Sequence, residues 1–246
     1  MGPVRTEVMW QAVLDAVQVA GGDGRTILDL GGGTGGDAVR LAIAGHDVTV
    51  VDPSPDALAS LERRVSDAAR SAELSGAVRG VQGDTTDLLQ RVGADSFDLV
   101  ICHGVLEHVD DPAQALDAIA AALRPGGHVS VVVAGRLAAV VARALAGDFG
   151  AAGRLYETDL DRWDTRSMGP RRFVQSELDA LLRGHGFTPV TSRALRVFAD
   201  LVPSALVDAE PGARDALFAL ERLVAGHGDF TALSAGLQSV ACLDLT

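Results

Sequence analysis

Residues 26–36 read Thr-Ile-Leu-Asp-Leu-Gly-Gly-Gly-Thr-Gly-Gly, and this stretch leaves the chain few folds to choose from. Ile27, Leu28 and Leu30 suit a short buried strand, because a brief apolar run with a β-branched residue fits a parallel sheet covered on both faces. Five glycines among residues 31–36 then break the strand, and helical spacing resumes over 38–44. Strand, glycine turn and helix form a nucleotide-handling unit. Glycine lets the backbone approach a ligand closely, and the start of a helix offers free N–H groups.

Two ligand patterns share these residues. Gly31, Gly33 and Gly36 satisfy G-x-G-x-x-G, with Asp52 placed as a ribose-binding acid. Asp29, Gly31, Gly33 and Gly35 satisfy D-x-G-x-G-x-G. Asp29, on the strand just before the turn, suits a ligand with a cationic amino-acid tail better than one with a pyrophosphate.

The rest of the chain alternates in the same way. Apolar runs at 47–51, 78–82, 97–102 and 128–133 predict four more strands. Helical spacing fills 4–19, 54–72 and 111–123, with Ser54 as a cap and Pro55 in the first turn. This order predicts an α/β, Rossmann-like, mostly parallel sheet with helices on both faces. Beyond Gly135 we expect helices over 136–145, 176–185 and 212–225, and strands over 187–198 and 237–245. Residues 147–172 read as a long irregular segment, of the kind that is usually functional.

A length of 246 residues suits one domain. We divide it into a cofactor half (1–134), a helical and loop insertion near the acceptor (135–186), and closing strands with a helix (187–246). Only 4% of residues are aromatic, so the core must be built from Ala, Val and Leu. A net charge of −12 argues against an extended phosphate-binding face and against DNA as a partner. Cys102 and Cys242 lie in apolar runs and read as buried thiols. Asp, Arg or Gly interrupts every apolar stretch before the ~18–20 residues of a membrane span, and no signal peptide is visible, so the expected location is the cytoplasm. The myristoylation-like pattern at residues 1–6 reads as chance, since Pro3 follows the glycine.

Chemistry concentrates at strand ends. Asp52, followed by Pro53, can accept hydrogen bonds from both hydroxyls of a ribose. Asp84 ends the third strand on the same sheet edge; its carboxylate can accept a hydrogen bond from an adenine amino group, with the Thr85 N–H beside the ring. His103 leaves the fourth strand toward the crevice where open α/β sheets bind ligands. Glu107 and His108 follow in the same turn and are the candidates for a base. The six histidines show no metal-ligand spacing.

Residues 28–35 (Leu-Asp-Leu-Gly-Gly-Gly-Thr-Gly), Val51-Asp52, Gly83-Asp84, residues 105–109 (Val-Leu-Glu-His-Val) and residues 123–127 (Leu-Arg-Pro-Gly-Gly) together resemble the class I S-adenosylmethionine (SAM) methyltransferases. Two late strands flanking one helix fit the end of that family's sheet, and the resemblance implies a last strand inserted antiparallel. A narrower resemblance, to the bacterial tRNA carboxymethoxyuridine methyltransferase family, rests on residues 5–11, 102–107, 146–149, 195–200 and the tail from Ala216. It implies SAM as cofactor and S-adenosylhomocysteine as product, with Arg5 helping to hold the SAM carboxylate. It also implies that Gly31, Gly32, Gly33, Asp52, Asp84 and His103 belong to the cofactor site, to which the reading of the residues themselves adds Asp29, Gly35, Pro53 and Thr85. Members of that family carry a longer segment ahead of the Arg5 helix. The lysine-rich run they can have after Phe149 is replaced here by Ala151–Asp159.

The implied acceptor is the carboxylate of a modified wobble uridine in tRNA; a small metabolite is the alternative, and a non-catalytic SAM-binding regulator a further one. A carboxylate is already ionised at neutral pH and needs no base. It needs a cation to orient it, and Arg166, Arg171, Arg172 and Arg196 are candidates. Tyr156 and Trp163 can stack on a flat acceptor or anchor their own loop. Oligomeric state is not legible.

Overall fold

The computed structural model describes residues 4–245; Met1–Pro3, which carry part of the myristoylation-like pattern, and Thr246 lie outside them. The order is α1 (Val4–Val19), β1 (Thr26–Leu30), α2 (Gly36–Ile43), β2 (Asp47–Asp52), α3 (Pro55–Arg70), β3 (Val78–Gln82), α4 (Leu88–Val92), β4 (Phe97–His103), α5 (Pro112–Ala122) and β5 (Leu123–Ala134). Then come α6 (Arg136–Leu145), α7 (Phe149–Glu157), a 3-10 turn (Leu160–Arg162), α8 (Thr165–Met168) and α9 (Gln175–Gly184). The chain closes with β6 (Phe187–Leu195), α10 (Ser204–Ala209), α11 (Ala213–Val224), α12 (Gly228–Thr231) and β7 (Gly236–Leu243).

The seven strands form one sheet in the order β3-β2-β1-β4-β5-β7-β6. β1 to β5 run parallel, while β7 inserts antiparallel between β5 and β6. The fold is the Rossmann-like α/β architecture expected, including the reversed last strand. Alternation along the strands sorts the core. Ile27, Val48, Val50, Leu99 and Ile101 pack under α1, α2 and α3. Leu28, Leu30, Val100, Cys102, Val129 and Val131 pack with residues of α5 and α9 on the other face.

The Ser54 cap read from sequence is formed, and Asp111 supplies a second. The Ser54 hydroxyl accepts from the Ala57 N–H with Pro55 in the first turn, and Asp111 accepts from Ala113 and Gln114. Such caps contribute about 1 kcal/mol each. Both cysteines are free; Cys102 is buried, and Cys242 is half-buried.

Three expectations differ. The 147–172 segment is largely helical, since Asp148 and Asp164 cap α7 and α8 with their side chains. β5 begins at Leu123 rather than His128, through an irregular register against β4 near Phe97 and Leu99. β6 stops at Leu195, not Phe198, because Arg196 turns left-handed at φ +55°. Beyond it the N–H groups of Val197, Phe198 and Ala199 are all taken by the buried Glu221 carboxylate of α11, at 2.7–2.9 Å. No helix among the described residues is long and apolar enough to cross a membrane.

Candidate cofactor crevice and acceptor pocket

The strand order reverses between β1 and β4, so the loops leaving their carboxyl ends part around a crevice. The glycine turn sits there. Its first residue extends the ladder, the Gly31 N–H donating to the Val51 carbonyl at 2.7 Å. Gly31, Gly33 and Gly35 have φ of +73°, +57° and +70°, a region that favours glycine. A Cβ at Gly35 would stand 2.0 Å from Leu61 Cδ1, and one at Gly32 would stand 2.3 Å from Asp29 Oδ2. Above Gly33 the space is open, with nothing nearer than Asp52 Oδ2 at 3.9 Å. Gly36 has no positive φ, and a Cβ there would meet nothing. The glycines this backbone requires are therefore those of D-x-G-x-G-x-G together with Gly32. The third glycine of the dinucleotide pattern has no packing role here.

Asp52 is buried at the end of β2. Its Oδ2 accepts from the Gly33 N–H and its Oδ1 from the Ser54 N–H, both at 2.9 Å. Each oxygen keeps lone-pair capacity for a hydroxyl donor, so the pair fits a ribose. Asp84 is exposed beyond β3, and its Oδ1 accepts from both the N–H and the hydroxyl of Thr86. That closes the turn and leaves Oδ2 for a donor such as an exocyclic amine. The Thr85 N–H has no protein partner among the described residues.

Asp29 lies beneath Gly32 on the α2 face. Burial first, then the neighbouring Asp37 and Asp52 carboxylates, push its pKa up to about 7. Burial, opposed by Arg40 and assisted by Glu7, also raises Asp37. The crevice thus has an acidic rim suited to a cationic ligand. Arg5 projects from α1, with Nε 2.6 Å from Asp200 Oδ1 and Nη2 donating to the Ala199 carbonyl. His103 closes the crevice from β4, its ring hydrogen-bonded through Nε2 to Ser130 Oγ at 2.8 Å. Burial drives its pKa down to about 3, so the ring is neutral. Pro53 is exposed at the rim.

Next to this crevice, past the end of β5, lies a cavity of about 220 Å³. Its walls include Gly135, Ala138, Ala142, Val197 and Leu201, and three arginines line it: Arg143, Arg172 and Arg196. Arg196 reaches Asp200 at only 3.5 Å, and its Nε is buried without a partner. Arg172 makes one long contact, 3.4 Å to the Gly135 carbonyl. Burial first and then Arg143 lower its pKa, as expected for cations crowded together. Glu107 is buried close by, with Oε2 unpartnered, and burial raises its pKa against the pull of His108, Arg196 and Arg172. His108 is exposed.

The other sequence candidates have separate places. Arg171 pins the turn after β4, donating to the carbonyls of Val109 and Asp110. Arg166 is exposed on α8. Trp163 is buried and donates its indole N–H to the Gly169 carbonyl at 3.0 Å, which anchors its own loop. Tyr156 stands exposed on α7. Sequence reasoning missed Arg143, Asp200, Glu221, Ser130 and Gln238. Only Arg143 had a local signal: it follows the alanine-rich 138–142 stretch of α6. No cluster of metal-ligating side chains occurs among the described residues.

A family described as "Methyltransferase domain" matches residues 6–192. The tRNA 5-carboxymethoxyuridine methyltransferase of Escherichia coli K12 is 29% identical over 148 residues, 60% of this chain and 55% of that protein. The ubiquinone biosynthesis O-methyltransferase of Caulobacter vibrioides is 32% identical over 144 residues, 58% of this chain and 54% of that protein. The matches thus span about half the length of these curated relatives. The magnesium protoporphyrin IX methyltransferase of Synechocystis PCC 6803, solved with bound S-adenosylhomocysteine, superposes with a TM-score of 0.64. That likeness covers 98% of this chain and 84% of that one at 14% identity, which speaks for the fold. The chain therefore belongs to the methyltransferase-domain family and has the fold of the class I SAM-dependent methyltransferases.

Proposed function

We propose that the protein transfers the methyl group of SAM to an oxygen of an anionic acceptor, and that this oxygen belongs to a carboxylate. The observation that carries the reading is the cavity beside the cofactor crevice. Three arginines and Asp200 line it: Arg143 pairs loosely with Asp148 at 4.0 Å, Arg196 with Asp200 at 3.5 Å, and Arg172 has no carboxylate partner among the described residues. Arg172 and Arg196 are half-buried beside small apolar walls, with Arg143 exposed at the rim, and guanidinium groups so placed can take a carboxylate in a two-point grip.

The residues of the crevice fit SAM. Asp52 would hold the ribose, Asp84 and the Thr85 N–H the adenine, and Arg5 the amino-acid carboxylate, with the open backbone at Gly33 beneath. When bound, the cofactor supplies an activated methyl on a sulfonium. The chain's own residues then orient the acceptor and exclude water, and holding the two reactants in line accounts for much of the acceleration. An ionised carboxylate needs no proton removed, so Glu107 serves as a counter-charge to the arginines rather than as a base. In this division residues 1–134 hold the cofactor, 135–186 shape the acceptor pocket and 187–246 close the sheet.

A carboxylate on a modified tRNA nucleoside, as named for the Escherichia coli relative, meets this description. A small carboxylic acid meets it as well, and a net charge of −12 favours that second reading over a large polyanion. The decisive experiment uses methyl-labelled SAM with an extract of the source cells, separated into tRNA and small molecules. A carboxyl methyl ester releases its label as volatile methanol in mild alkali, whereas ethers and N-methyl groups keep it. Alkali-labile label in either fraction, lost in Arg172→Met/Arg196→Met, is the expected result; alkali-stable label overturns the carboxylate reading.

A further inference from the structure

His103 belongs to a buried chain of hydrogen bonds that crosses the sheet. At its far end the Gln238 Nε2 lies 2.8 Å from the Ala12 carbonyl and 3.0 Å from Ser130 Oγ. A carbonyl only accepts, so the Ala12 oxygen fixes which end of the Gln238 amide is the NH2. Its two N–H groups are then both used, one on Ala12 and one on Ser130. Ser130 and Gln238 are completely buried. The Ser130 hydroxyl, already accepting from Gln238, must place its own proton on a remaining neighbour. That neighbour is His103 Nε2 at 2.8 Å. The opposite arrangement, with His103 donating from Nε2, would leave a buried hydroxyl proton without an acceptor, since Gln238 Oε1 makes no hydrogen bond.

We propose that Gln238 and Ser130 lock His103 as the neutral tautomer with its proton on Nδ1, so that this histidine meets its ligand only as a hydrogen-bond donor and never as a base. Nδ1 has no protein partner among the described residues, and the half-buried ring stands at the carboxyl end of β4. The burial that keeps the ring neutral acts in the same direction. Ser130 and Gln238 are thus positioning residues, acting through His103. Their consequence for chemistry rests on the methyl-transfer reading. A donor N–H beside the crevice favours an oxygen lone pair on cofactor or acceptor, and a hydroxyl or amine acceptor would find no proton acceptor at His103.

Long-range 1H–15N correlation of the imidazoles tests the lock in the whole chain at pH 7, with His103→Gln assigning the signal. The expected spectrum shows a pyrrole-like Nδ1 and a pyridine-like Nε2. A protonated Nε2, or equal population of both forms, overturns the proposal. Ser130→Ala and Gln238→Leu should each release the lock and give mixed tautomers; a His103 spectrum unchanged in both also overturns it. Calorimetry with S-adenosylhomocysteine on the same samples decides the other question. An Nδ1–H spectrum without binding overturns the cofactor reading alone, and binding with an Nε2–H spectrum overturns the lock alone.

Discussion

Asp29 carries an uncommon burden for a carboxylate: it is buried beneath the glycine turn, with Asp37 and Asp52 close enough to oppose its ionisation. Its folded-state pKa, about 7, stands above the ordinary value of 3.8. The folded chain therefore keeps this proton between those two values while the unfolded chain has lost it. Stability from this group is fully present below the ordinary value and is lost as pH rises through the folded one. Asp29→Asn should raise the melting temperature of the ligand-free protein at pH 8 and leave it nearly unchanged at pH 4. A cationic ligand in the crevice reverses the preference and expels the proton. Calorimetric heats of SAM binding near pH 7 should then differ between buffers of different ionisation enthalpy, and the difference should vanish in Asp29→Asn. Equal heats in all buffers for the wild-type protein would refute the coupling.

At the scale of elements, the strand–turn–helix unit separates glycines that the backbone needs from one that it does not. Gly35 has φ +70°, and a side chain there would strike Leu61. Gly35→Ala combines left-handed strain with overpacking and should cost about 2–4 kcal/mol. Gly36 opens α2 with room for a methyl group. Gly36→Ala should be neutral or stabilise by about 0.4–1 kcal/mol through the unfolded chain. Denaturant titration of the two variants measures both, and equal losses would contradict the motif assignment. The end of β6 shows a second element-level effect. The apolar run through Phe198 reads as continuous strand, yet one buried carboxylate on α11 takes three successive N–H groups and folds them into a turn. That turn sets Arg196 against the cavity and Asp200 between Arg196 and Arg5.

Across the whole molecule, the proposed ligand residues come from loops at one edge of the sheet. Binding there should stabilise the entire fold. With S-adenosylhomocysteine at 100-fold over its Kd, the gain is about 2.7 kcal/mol. For a chain of this size that corresponds to a rise of roughly 5–10 °C in Tm. Thermal unfolding should show this rise with S-adenosylhomocysteine and none with NAD, and Asp52→Ala should abolish it. Stabilisation by NAD alone would refute the cofactor assignment.

The amino-acid order by itself determined the layered α/β fold, the glycine turn and the acids at the ends of β1, β2 and β3. These are local signals: a strand end and the turn after it place their own residues, whatever else packs around them. Tertiary structure alone decided the rest. Arg143, Arg172 and Arg196 sit on separate segments and line one cavity only because α6 folds back over the carboxyl edge of the sheet. Ser130 and Gln238 reach His103 only because β7 inserts beside β5. Trp163 and Arg171 resemble ligand-binding residues in sequence, and packing shows that they hold loops in place. Periodicity encodes which face a side chain takes, but which distant side chain it meets is set by how the elements pack.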